Sequence, residues 1–225
     1  MIEKNADVDK ASTDTGSTPL FAACQHGRVD CTRLLIENNA EVDKARTDTG
    51  ATPLLIACHE GHVDCARLLI ESKAGVNKAC TENGVTPLFL ACSFGQADCA
   101  RLLIENGADF NASVGGFTPL CAAYASRSDA IVQLFLRRHV DISHVLFVAC
   151  EMGDLEIVRR FLDEEEVDID RGNAESGATA LSIACAKGTL VVARLLIKRN
   201  ADVDDPTTSA TRRSTTPVKG TTSMW

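Results

Sequence analysis

Apolar positions fall in a pattern that repeats every 34 residues. In residues 17–50, Leu20, Ala23 and Cys24 make one short apolar stripe, and Val29, Cys31, Leu34, Leu35 and Ile36 make a second at helical spacing. Polar and glycine-rich segments separate the stripes. Residues 51–84 repeat this order with roughly 60% identity. Further copies begin at residues 85, 117, 144 and 178. Residues 2–16 match the second half of a copy, because Ile2–Gly16 aligns with Ile36–Gly50. The expected organisation is a partial N-terminal repeat over 1–16 (second-helix stub and finger), then six repeats within 17–205 (17–50, 51–84, 85–116, 117–143, 144–177 and 178–205).

Each copy carries signals for two short antiparallel helices. Thr18, Thr52, Thr86, Thr118 and Thr179 stand where an N-cap belongs, and Pro19, Pro53, Pro87 and Pro119 follow at the first helical position. Proline there forfeits no hydrogen bond, and the threonine hydroxyl can accept from a free amide. Gly27, Gly61, Gly95, Gly153 and Gly188 are set to end the first helix. Helices this short cannot bury an apolar face alone, so the copies must stack. The predicted fold class is all-α, a solenoid of helix-turn-helix units with projecting finger loops.

The Thr-Pro-Leu-x-x-Ala opening, Gly-x-x-Asp-x-x-x-Leu-Leu-Ile and the Ala-Asp-Val-Asn-type endings resemble the ankyrin repeat family over about residues 2–205. Three departures are local. Most copies run to 34 residues, Arg127 takes the glycine position of the fourth, and the segment between Val140 and Leu146 is too short for a finger. Residues 143–146 are therefore expected to be the least regular point. The resemblance implies a protein-binding scaffold or adaptor, with partners held on a concave side formed by the fingers and the ends of the first helices. Carried onto this chain, those positions are Gln25, His26, His59, Glu60, Ser93 and Phe94 on the helices, with Thr47, Asp48, Thr49, Glu82, Asn83, Val85 and Phe117 on the fingers. Phe94, Phe117 and Val85 are notable as apolar groups at positions expected to be exposed. Two readings of Phe94 and Phe117 stand side by side: they contact a partner, or they pack on one another.

Composition narrows the function. Apolar residues reach 45% and aromatics only 4%, which suits closely stacked helices. The net charge is −8, and the tail's only charges are Arg212, Arg213 and Lys219, so residues 1–205 carry −11. That field opposes phosphate backbones and anionic lipid, and neither nucleic acid nor membrane is an expected partner. No run approaches the ~18–20 apolar residues of a membrane helix, and the N-terminus lacks a signal-peptide pattern. The expected location is intracellular, in the cytoplasm.

Ten cysteines first suggest a disulfide or zinc framework. Cys24, Cys58, Cys92, Cys150 and Cys185 instead share one repeat position, and Cys31, Cys65 and Cys99 share another that Ile131, Ile157 and Val192 also fill. Both positions read as apolar packing slots. Equivalent residues of neighbouring helices lie ~8–10 Å apart, beyond the ~7 Å Cα separation a disulfide spans. Cys58-His59-x-x-His62-x-x-Cys65 imitates a zinc string, but Gly61 breaks the helix inside it. His62 is expected to pack near the turn. No nucleophile–base pair, phosphate loop or convergent carboxylates are found, and Glu164–Glu166 reads as a solvated turn. The expectation is a non-enzyme without metal or cofactor.

Residues 206–225, rich in Thr and Ser and basic, read as a disordered tail in which Arg212–Thr215 and Thr216-Pro217 are kinase-like motifs. The array's uncapped ends suggest a fragment of a longer array, self-association through those ends, or a covering tail; the first is favoured. A targeting module of a larger enzyme or channel is the alternative to a stand-alone scaffold.

Overall fold

The computed structural model describes residues 7–138, 143–164, 168–173 and 176–203. Among them are twelve α-helices and no multi-residue strand. The helices divide into two compact units, residues 1–140 and 141–225. In the first, α1 (Pro19–Gln25) pairs with α2 (Val29–Glu37), α3 (Pro53–Glu60) with α4 (Val63–Glu71), α5 (Pro87–Ser93) with α6 (Ala97–Glu105), and α7 (Pro119–Ala125) with α8 (Asp129–Leu136). In the second, α9 (Ser143–Met152) pairs with α10 (Leu155–Glu164), and α11 (Ala180–Lys187) with α12 (Leu190–Lys198).

The helix starts follow the threonines. The hydroxyl oxygens of Thr18, Thr52, Thr86, Thr118 and Thr179 accept from the amides of Phe21, Leu55, Phe89, Cys121 and Ser182 at 3.1–3.3 Å. Loss of such a cap typically costs ~1 kcal/mol. Gly61 and Gly188 end α3 and α11 in the left-handed region at φ +79° and +72°. Arg127, the residue that replaces this glycine in the fourth hairpin, takes the same region at φ +56°. The turn geometry therefore survives the substitution, at the conformational cost a side chain meets there.

Within the first unit, α1, α3, α5 and α7 lie side by side, and so do α2, α4, α6 and α8. Leu20, Leu54, Leu88 and Leu120 from the first row meet Leu69, Leu103, Ile131 and Phe135 from the second, all buried. The second unit builds a core from Leu146, Val158, Phe161, Leu181 and Leu196 in the same manner. Polar side chains fix the register between hairpins. The Asp9, Asp43, Asn77 and Asp170 side chains accept from the amides of Glu41, Gly75, Asp109 and Asp202, each 32 residues on. At the other end of the hairpins, the Gln96 amide donates to the His59 carbonyl at 3.2 Å, and the Thr189 hydroxyl to the Cys150 carbonyl at 3.0 Å. The His62 ring lies over Gly27, where a Cβ would come within 2.6 Å of Nδ1. His62 is thus occupied in packing.

The expectations for the joint and for two of the cysteines meet different outcomes. Residues 143–146 form the opening turn of helix α9; the short linker itself, 139–142, lies outside the described residues. Cys31 and Cys185 are exposed rather than packed inside. Their slots are closed only by a neighbouring hairpin, and these two residues sit on the first and last described hairpins. The tail with its kinase-like motifs, the stub at 1–6 and Glu165–Glu166 also lie outside the described residues.

Candidate partner-binding surface

Three elements converge between the second and third hairpins: α3, α5 and the finger over residues 80–85. Ile56 of α3 and Leu90 of α5 occupy equivalent positions, one turn before the end of their helices, and both are half-buried. The same position holds Ala22 and Ala122 in the flanking hairpins. The cleft between them has a volume of about 150 Å³ and is lined by Ala51, Leu55, Ile56, His59, Cys80, Asn83, Val85 and Leu90. Its floor is apolar because Leu55, Cys80 and Val85 cluster there, with Phe89, Leu90 and Val114 packed against them.

The polar edges are few and specific. His59 Nδ1 lies 2.9 Å from a Glu60 carboxylate oxygen. The His59 ring meets Phe94 edge-on, with centroids 4.1 Å apart and planes at 60°. Phe94 remains 54% exposed, an unusual state for a large aromatic. Asn83 spends its carbonyl oxygen on the Val85 amide at 3.1 Å. Ser93 is also committed, its hydroxyl donating to the Phe89 carbonyl at 2.9 Å.

The neighbouring finger is braced from within. Arg46 Nε donates to Asp48 at 3.0 Å, and its guanidinium sits 5.3 Å from the Phe21 ring centroid. The Arg46 hydrogen bond holds the Asp48 carboxyl below its ordinary range. Fingers also bond to each other, the Thr47 amide to the Thr15 carbonyl and the Glu82 amide to the Thr49 carbonyl. Gln25 is half-buried, whereas His26, Thr47, Asp48, Glu60, Glu82 and Asn83 are exposed.

The structure brings together His59, Glu60, Asn83 and Phe94 around the cleft, with Val85 in its wall. Gln25, His26, Thr47 and Asp48 belong to the preceding hairpin and finger. Two expectations change. Val85 is buried, with 9% of its surface exposed, because the finger folds it onto Leu55 and Cys80. Phe94 and Phe117 do not pack on each other: Phe94 faces His59, and Phe117 meets Phe89 with centroids 6.4 Å apart. Sequence reasoning missed Ile56 and Leu90. The available signal was the change from Ala22 to two large aliphatic residues at one repeat position.

No group of three or more His, Cys, Asp or Glu side chains arranged for a metal ion occurs among the described residues. No described helix is long and apolar enough to cross a membrane.

Stacked helical hairpins with bonded fingers and an apolar cleft beside them define the class as a repeat protein built around surface contacts. Family comparison agrees: the model described as ankyrin repeats (3 copies) matches residues 1–82, 72–145 and 131–207, and the chain belongs to the ankyrin repeat family. Among solved structures, the chain is similar to the human ASB11 ankyrin repeat domain, at 27% identity and a TM-score of 0.62. The match covers 89% of this chain and 99% of that one. The search of curated proteins gave no match. Ankyrin repeats are protein–protein interaction modules, and the fold is an all-α repeat solenoid.

Proposed function

We propose that this chain is a non-catalytic scaffold that holds a partner protein in the cleft between α3 and α5. The observation that carries this is the apolar, half-open cleft walled by Ile56, Leu90 and Val85, with Phe94 exposed beside it. An aliphatic side chain of a partner would fill such a space, and the His59–Phe94 pair would supply aromatic contact at the rim. Such anchors commonly carry most of an interface's energy. Gln25, His26, Thr47, Asp48, Glu60, Glu82 and Asn83 supply a polar border. The proposed setting is intracellular, in the cytoplasm.

The test replaces Ile56 and Leu90 together by serine. The expected result is at least about a tenfold loss in affinity for partners recovered by the wild-type chain, the equivalent of ~1.4 kcal/mol. A control substitutes glutamate at Arg67 and Arg101, exposed on the second helices α4 and α6. It should bind as wild type. Equal binding by all three proteins, with thermal melts showing each folded, would remove this assignment.

A further inference from the structure

The first three fingers carry a carboxylate at one repeat position, Asp14, Asp48 and Glu82, and all three are exposed. Asp48 is neutralised from its own finger, by Arg46 two residues earlier. At the third finger the residue matching Arg46 is Cys80, whose thiol turns inward and donates to the Thr49 carbonyl at 2.7 Å. Glu82 thus lacks the cation that its counterpart has, and it directly precedes Asn83 in the cleft wall. The lysines of the two connecting segments are committed elsewhere, Lys44 to Glu41 and Lys78 to Asp43.

A second carboxylate stands on the helix side of the cleft. Glu60 is the last residue of α3, where the helix's free carbonyls already place partial negative charge and a cation is the favoured side chain. His59 Nδ1 lies 2.9 Å from it, on a ring that is neutral unless protonated. The same ring meets Phe94, with centroids 4.1 Å apart. One imidazole in the cleft wall therefore touches both a carboxylate and a ring that stays 54% exposed. A guanidinium fits this combination: it is a planar cation that lies on an aromatic face while its N–H groups fork onto a carboxylate. An ammonium can pair with Glu60 but has no plane to stack.

We infer that the segment seated in the cleft is basic: it places an aliphatic side chain between Ile56 and Leu90, an arginine beside it against Phe94 and Glu60, and a further basic residue facing Glu82. The inference rests on the cleft being the partner's seat and adds the chemistry that selects the partner. An acidic segment would meet a carboxylate on the helix side and another on the finger side, and like charges at an interface turn such a partner away. The negative field of the array acts in the same direction, drawing a basic segment towards the surface before contact.

The experiment measures fluorescence polarisation of labelled peptide pools with the full chain. Every pool has one central leucine in a glycine–serine background, and the flanking positions carry arginine, lysine or glutamate. The arginine pool should bind at least about fivefold tighter than the glutamate pool, the scale of two exposed ion pairs, and should weaken as salt is raised. In the Glu60→Gln, Glu82→Gln chain the gap should shrink to within about twofold. In the Phe94→Ala chain the arginine pool should lose its advantage over the lysine pool. Thermal melts check that each variant is folded. Equal binding of the arginine and glutamate pools by the wild-type chain, absence of binding by both included, would overturn the inference. So would a gap that survives the double glutamine substitution, because it would mark a general attraction to an acidic chain. The Ile56→Ser, Leu90→Ser chain separates the two readings. Unchanged arginine-pool binding there, with the gap lost in the glutamine variant, would keep the arginine site and remove the cleft as the partner's seat.

Discussion

Replacing Leu103 by alanine should destabilise the first unit by about 2–5 kcal/mol, the range for emptying a fully enclosed leucine site. Leu103 has no exposed surface, and its helix α6 packs against α4, α5 and α8. The cavity therefore opens where three helices meet, and none can close it without leaving its other contacts. Leu34 occupies the adjoining slot two hairpins earlier and is 44% exposed. Leu34→Ala should cost clearly less, since much of that side chain is already hydrated. Urea denaturation of the two variants checks this. Equal losses would mean that Leu34 is packed as closely as Leu103, against its exposure.

Gly50→Ala should cost about 2 kcal/mol or more, from a left-handed backbone and a collision together. Gly50 has φ +74°, and an added Cβ would lie 1.9 Å from Thr81 Oγ1 and 2.7 Å from the Thr81 amide nitrogen. A hydroxyl could rotate aside; a backbone nitrogen cannot. The collision would push the second finger off the first, and with it the Glu82–Thr49 bond. Gly84 provides the comparison, with φ +72° and nothing within 4 Å of its added Cβ. Gly84→Ala should lose only the backbone term, about 1 kcal/mol. The difference between the two melts measures the contact between fingers, and equal melts would deny that contact.

The helices were legible in the sequence because their determinants are local. A threonine cap, a proline one residue on and a glycine at the far end act within one turn, and α1, α3, α5 and α7 start at the expected prolines. Leu20, Leu54 and Leu88 were recognisable as core for the same reason: each repeats in register. The surface was less legible because its contacts cross between hairpins. His59 and Phe94 are 35 positions apart, and no local rule orients one ring towards the other. Val85 was misjudged because its burial depends on how the finger folds over Leu55 and Cys80.

The cysteines show the same division. Their repeat positions identified them as inward-facing, which holds for Cys24, Cys58, Cys65, Cys92, Cys99 and Cys150. Comparing like positions in adjacent copies did not reveal that the Thr32 hydroxyl lies within 3.9 Å of both Cys24 Sγ and Cys65 Sγ, because that meeting crosses between hairpins. Cys31 and Cys185, on the first and last described hairpins, are exposed instead.

Site-directed photocrosslinking tests the central claim most directly. A photoreactive amino acid is placed either at Leu90 in the cleft or at Arg67 on the exposed side of α4. After irradiation in native extract, the Leu90 protein should gain a discrete, competable protein adduct that the Arg67 protein lacks. Adducts of equal yield from both positions, or from Arg67 alone, would contradict a partner seated between α3 and α5.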